Sequence, residues 1–107
     1  MKWYAVRLIF KHSRVDTEDF EFAYEERITI WNASSELEAH KLARKEAASY
    51  AEIEGCEVSE TSDCSVLFDP PTESGAEVWF AVRRSNLDFD NYQKTFAFTG
   101  GENFREI

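Results

Sequence analysis

Proline and glycine are scarce in this chain of 107 residues, at two and four, which excludes collagen-like and low-complexity architectures. Cysteine also occurs only twice, as Cys56 and Cys64, and histidine only twice, as His12 and His40. That spacing fits neither C-x-x-C nor a zinc pattern, so no metal site is expected. A disulfide between the two cysteines is geometrically open, but two reduced thiols in a cytoplasmic protein are the favoured expectation. No stretch approaches the roughly 20 apolar residues that span a bilayer, so no membrane partner is expected. Met1-Lys2-Trp3-Tyr4 lacks a signal-peptide pattern, and the sequon Asn32-Ala33-Ser34 is therefore empty. There is no glycine-rich phosphate loop, no H-E-x-x-H and no G-x-S-x-G, so no catalytic residue and no cofactor are assigned.

Bases are the minority charge, 12 against 21 acids, giving a formal charge of −9. An excess of that sign opposes phosphate binding and removes nucleic acid as a partner. The imbalance is local. Nine acids, at 46, 52, 54, 57, 60, 63, 69, 73 and 77, lie between Glu46 and Val82 with no Lys or Arg among them. Glu52 and Glu54 close a helix, where the macrodipole disfavours them by about 0.3–1 kcal/mol each. The bland interpretation is a solubilising coat; the sharper one is a docking surface for a cationic protein, whose association such a field accelerates. Calcium is disfavoured, because Asp88-Phe89-Asp90-Asn91 lacks the ligand and glycine that should follow.

Hydrophobic residues make up 43% and aromatics 15%, enough for one folded domain over residues 1–107. Trp3 to Phe10 is a nearly unbroken apolar run that reads as a strand covered on both faces. From Phe20 to Trp31 the chain alternates, with Phe20, Phe22, Tyr24, Ile28 and Ile30 on one face. Ser35 and Glu38 form a capping box for a helix over about 36–53, ending before Gly55. Its apolar arc is expected to hold Ala39, Leu42, Ala43, Tyr50 and Ile53, with Lys41, Arg44 and Lys45 pointing away. Strands are expected at Cys64 to Phe68, stopped by Pro70-Pro71, and at Ala76 to Arg84, with Val78, Phe80 and Val82 on one face. Ser85 could cap a short helix around Leu87 to Phe96, and about 97–107 is either a docked strand or a frayed tail. The fold class is α+β, a two-layer sandwich in ββαββα order whose antiparallel-rich, four-stranded sheet is packed by one long helix.

Four blocks, Trp3-Tyr4-Ala5-Val6-Arg7-Leu8, Glu25-Glu26-Arg27-Ile28, Glu46-Ala47 with Tyr50, and Gly75-Ala76-Glu77-Val78, resemble the uncharacterised bacterial domain-of-unknown-function family 4288. The resemblance spans roughly residues 2 to 95 and departs at 11–19 and after 96. It implies a small bacterial cytoplasmic protein and brings no established activity.

Two acids point inward by parity, Glu26 with Tyr24 and Ile28, and Glu46 one turn before Tyr50. Facing carboxylates would make an acid/base pair, but a buried network of Arg7, Glu26, Arg27, Glu46 and Tyr50 is the stronger expectation, helped by a bulge at Glu25-Glu26. In the first hairpin, Arg7 is expected opposite Glu25, with Tyr4 facing Ile28 and Leu8 facing Tyr24; the rival register sets Arg7 against Arg27. Trp3, Trp31 and Trp79 all occupy odd positions, and so share one face. That face is either a second core under Leu87, Tyr92, Phe96 and Phe98 or a homodimer contact. The functional expectation is a non-enzymatic acidic protein-binding module, most concretely an immunity-type protein that neutralises a cationic toxin through Glu52, Glu54, Glu57, Glu60, Asp63, Asp69 and Glu73. The alternatives are a small enzyme or ligand-binding protein using the inward carboxylates, and a structural homodimer.

Overall fold

A computed structural model describes residues 1–13, 18–67, 74–75, 77–97 and 104–106. Two long strands open the chain, β1 at Lys2–His12 and β2 at Phe22–Ala33, followed by α1 at Glu36–Glu54. Then come β3 at Glu57–Val58, β4 at Thr61–Leu67, β5 at Glu77–Ser85 and a one-turn α2 at Phe89–Tyr92. A π-helical turn, Gln93–Ala97, and β6 at Phe104–Glu106 complete the order. The sheet runs β5-β2-β1-β4-β6, with β3 beside β1, and every pairing in it is antiparallel.

The α+β class and antiparallel sheet agree with the sequence, but four strands in ββαββα order are too few. The two-residue β3 is too short to leave a periodic signal. β6, the part of the tail left open between docked and frayed, pairs with β4 through Phe104 and Asp63. Nor are there only two layers. α1 packs on β1, β2 and β4, while Tyr92 of α2 lies on the other face with Ile9 and Tyr24.

α1 is bounded as its caps require. Glu38 N–H donates to Ser35 Oγ at 3.1 Å, and Gly55, at φ 69°, closes the helix by donating to Ala51 O. The reciprocal half of the capping box differs. The Glu38 carboxylate accepts from Ser34, at 3.3 Å from its N–H and 2.6 Å from its hydroxyl; these bonds hold the acid below its ordinary pKa. The buried stripe is Ala39, Ala43, Ala47 and Ala51 with His40, four methyls one turn apart that let the helix lie close to the sheet. Ile53, expected on that arc, is 82% exposed, because it lies to one side of the buried stripe that runs on to Ala51. Arg44 does not point away either; its Nη1 donates to Ser59 O at 2.7 Å, and burial lowers its pKa.

The hairpin register also differs from expectation. Arg7 lies opposite Ile28, Tyr4 opposite Trp31 and Leu8 opposite Arg27. The offset from the expected pairing is an odd number of residues, and such a slip exchanges the faces of β2 relative to β1. Tyr4, Val6, Leu8 and Phe10 face α1 as a buried set, and the residues beside them in β2 are Trp31, Thr29, Arg27 and Glu25. The aromatic stripe of β2 therefore serves the α2 side, where Tyr24 stacks on Tyr92 at 3.8 Å between centroids. The expected bulge at Glu25-Glu26 is absent from the β1–β2 pairing; the shift lies between Ile28 and Thr29 where β2 meets β5.

The single tryptophan face dissolves for the same reason. Trp31 packs against the α1-side core and donates from Nε1 to Thr29 Oγ1 at 2.8 Å, whereas Trp3 belongs to the opposite parity of β1. Trp79 is paired with Ile28. Of the expected second core only Tyr92 is buried; Leu87 and Phe96 are exposed, and Phe98 lies outside the described residues. At the start of α2 the cap is Asp88, whose carboxylate accepts from Asn91 N–H. Ser85, the cap expected from sequence, instead accepts from Leu87 N–H at 3.0 Å. The shared face expected for Val78 and Phe80 lies outside the described side chains, and Val82 is exposed.

Candidate functional site

Three consecutive charged residues, Glu25, Glu26 and Arg27, are buried in the middle of β2. Charges at such positions must be paired and hydrogen-bonded, since an uncompensated one costs several kcal/mol. Strand alternation sends Glu25 and Arg27 to the α1 side and Glu26 to the other, so they form two networks.

On the α1 side, Arg27 donates from Nη1 and Nη2 to the two carboxylate oxygens of Glu46, at 2.9 and 3.3 Å. The guanidinium lies 3.8 Å from the Tyr50 ring centroid, a partly desolvated stack worth about 1–2 kcal/mol. Tyr50 Oη donates to Glu25, 2.9 and 2.8 Å from its two oxygens. Burial, and then the bond to Glu25, push the Tyr50 phenol well above its ordinary pKa. His12 Nε2 lies 3.0 Å from Glu25 Oε1. Cys56 borders this group, and its thiol is pushed up to about 11 by burial first, then by Glu25 and Glu54. The two cysteines are not joined in a disulfide. A thiol held protonated in this way is a poor nucleophile.

On the opposite side, Glu26 accepts from Arg7 Nη1 at 3.0 Å and from Arg83 Nη1 at 2.6 Å. Arg7 continues to Asp63 at 3.2 Å, and Arg83 donates to Tyr92 Oη at 3.2 Å. The expected residues Arg7, Glu26, Arg27, Glu46 and Tyr50 thus divide between two faces, and Glu26 and Glu46 do not meet. Glu46 is also more open than its place on the helix suggests, 31% exposed. Glu25, His12, Arg83 and Tyr92 also belong to these networks, where the sequence alone assigns none of them. Glu25 could have been found, because placing its neighbour Glu26 on one face obliges Glu25 to lie on the other.

A separate polar buried pair joins α1 to β4, where His40 Nδ1 lies 2.5 Å from Ser62 Oγ and His40 Nε2 lies 3.7 Å from Glu36. Among the described residues no group of three or more His, Cys, Asp and Glu could hold a metal ion. No helix among them is long and apolar enough to cross a membrane.

The acidic residues gather at the end of the molecule where α1 stops. A cleft of about 480 Å³ is lined by His12, Ser13, Glu52, Ile53, Glu54 and Gly55. A second, of about 440 Å³, is lined by Glu57, Val58, Glu60, Thr61, Phe89, Asp90 and Gln93. The last turn of α1 carries no base, so nothing within that turn offsets the macrodipole's repulsion of Glu52 and Glu54. Arg44 is in electrostatic reach of Glu60, and Lys11 stands opposite Glu57 where β3 pairs with β1. Asp63 is set apart from this end by its ion pair with Arg7. Asp69 and Glu73 lie outside the described residues. No family model matches the chain, and no curated protein or solved structure matches it.

Proposed function

We propose that this chain is a non-enzymatic, acidic protein-binding module, in its most concrete form a cytoplasmic immunity-type protein that neutralises a cationic toxin. The observation that carries the proposal is the end of α1. Glu52 and Glu54 flank Ile53, 82% exposed, and Glu57 and Glu60 line the neighbouring cleft. An exposed branched apolar side chain flanked by acids suits a basic surface with an apolar depression, the field steering approach and the apolar contact slowing release. The inward carboxylates are engaged: Glu26 by two arginines, Glu46 by Arg27, and Glu25 by Tyr50 and His12.

The test is co-expression with the product of the adjacent gene, followed by association kinetics on the purified pair. Association should slow markedly as salt rises from about 0.05 to 0.5 M, over which screening shortens from roughly 14 to 4 Å. Replacing Glu52, Glu54 and Glu57 together by Gln should weaken binding and leave the circular dichroism spectrum unchanged. Salt-independent binding, or binding untouched by the triple variant, would reduce the acids to a solubility coat.

A further inference from the structure

His12 is the last residue of β1 and shares the α1-side parity of Tyr4, Val6, Leu8 and Phe10. It lines the cleft that also holds Glu52, Ile53 and Glu54. Its side chain is 23% exposed, so a molecule entering the cleft can reach it. Nε2 lies 3.0 Å from Glu25 Oε1. A carboxylate only accepts, so Nε2 carries the proton of the neutral ring and Nδ1 is its lone-pair acceptor. Glu25 is itself fixed, because Tyr50 of α1 donates to its carboxylate. The ring is thus held in one tautomer through Nε2, and among the described residues Nδ1 has no partner.

We propose that neutral His12 recognises the cation of the partner. Its Nδ1 accepts a hydrogen bond from a lysine ammonium or arginine guanidinium that enters the cleft beside Glu52 and Glu54, and protonation of His12 releases it. This inference rests on the cationic-partner reading and adds to it a contact residue and its regulation. The acids attract a cation without fixing where it sits, whereas a lone pair on an oriented ring fixes one position. Protonation turns Nδ1 from acceptor to donor and sets a positive charge against the incoming one. The charged groups around the ring are Glu25 of β2 and Glu52 and Glu54 at the end of α1, with Arg27 beyond Tyr50. Tyr50 and the Cys56 thiol border Glu25 as protonated groups. Lys11 belongs to the opposite parity of β1 and lies 4.0 Å from the Phe22 ring centroid, and Arg14 and Asp16 lie outside the described residues. The other histidine, His40, is buried against Ser62 and does not line the cleft.

The probe is a tetralysine peptide at low salt, titrated into the full chain and followed by the amide resonances of Glu52, Ile53 and Glu54. Wild type should bind it about tenfold more weakly at about pH 5.5 than at about pH 7.5, a window in which histidine changes charge. In His12→Gln, whose amide gains no proton, the two affinities should agree within about twofold. Coupling is reciprocal, so the midpoint of the His12 ring titration should move to lower pH when the peptide is present. That measurement needs no variant and decides the matter if circular dichroism shows that His12→Gln does not fold. A peptide that fails to bind at about pH 7.5 would overturn the cationic-partner reading and this inference with it. Equal binding at both pH values, a pH dependence that survives in His12→Gln, or a ring titration unmoved by bound peptide would overturn this inference alone.

Discussion

Glu25 and Glu26 are neighbours in the chain whose carboxylates serve opposite layers of the molecule. Glu25 accepts from Tyr50 of α1, and Glu26 accepts from Arg7 and from Arg83 of β5. Each carboxylate is almost wholly removed from solvent, so each is held by its partners and not by water.

Removing Glu26 leaves two guanidinium groups without their shared acceptor. Arg83 is 43% exposed and can turn to water, whereas Arg7 is 18% exposed and keeps Asp63. Glu26→Ala should therefore cost about 3 kcal/mol in urea unfolding, the low end for breaking a buried pair. Arg83→Ala should cost about 1 kcal/mol or less. Equal losses for the two variants would mean that Arg7 does not depend on Glu26.

Glu46 holds Arg27 by a bidentate pair at a half-open position. Glu46→Gln retains one acceptor and should cost about 1 kcal/mol, whereas Glu46→Leu leaves Arg27 with its Tyr50 stack alone and should cost about 2–3 kcal/mol. Chemical denaturation of both variants checks the order. A Leu variant as stable as wild type would remove the pair from the energetics of α1 docking.

Alkaline unfolding should follow the tyrosines. Tyr24 is fully buried and donates to Leu87 O at 2.6 Å. Burial, with Asp88 next in size, raises its phenol from 10.0 to about 12. The folded state holds the proton more tightly than the unfolded one, so this contribution is complete below pH 10.0 and is lost as pH rises to about 12. Tyr24→Phe should remove on the order of 2 kcal/mol of pH-dependent stability across that window. It should cost about 1 kcal/mol at neutral pH for the lost hydrogen bond. Urea midpoints of the two proteins from pH 8 to 11 give the comparison, and identical slopes would contradict it.

Cys56 should resist alkylation for the same physical reason. Raising its pKa from 9.0 to about 11 lowers the thiolate fraction roughly a hundredfold at neutral pH. Iodoacetamide should modify Cys56 far more slowly than it modifies a free thiol, with the rate still climbing above about pH 10. A rate that levels off by about pH 10 would show an ordinary thiol.

Gly75 has φ +83°, and a Cβ built there would stand 3.3 Å from the Trp31 ring. Its N–H also donates to Ile30 O, so the turn is pinned to β2 and has little room to yield. Gly75→Ala combines left-handed backbone strain with that contact and should cost about 1–2 kcal/mol. Trp31 fluorescence followed through thermal unfolding gives the shift, and a variant melting with wild type would mean that the turn relaxes away.

Caps and periodicity made α1 and the first two strands legible, since Ser35, Gly55 and the alternation from Phe22 to Ile30 act locally. Alternation defines the faces of a strand but not which one a helix will cover. β1 carries apolar residues on both faces, so nothing within it fixed the register, and the odd shift moved Trp31, Arg27 and Glu25 under α1. Arg7 was legible as a partner of Glu26, but Arg83 was not, because it is 57 residues distant along the chain and meets Glu26 only when β5 pairs with β2. The acidic end was legible as a run of charge, but Asp63 belongs to Arg7 through a strand pairing that composition does not register.

The pairing of opposite layers through adjacent residues of β2 has a consequence for how the molecule comes apart. Peeling α1 from the sheet strands Glu25 and Arg27, and loosening β5 strands Glu26, so both movements expose charge at the same strand. Neither layer can open far without penalising the segment that holds the other, which is the condition for one cooperative unit. Amide protons in the centre of α1 and in β2 should therefore exchange through a single opening event with one shared free energy, while His12 and the chain end at β6 fray independently.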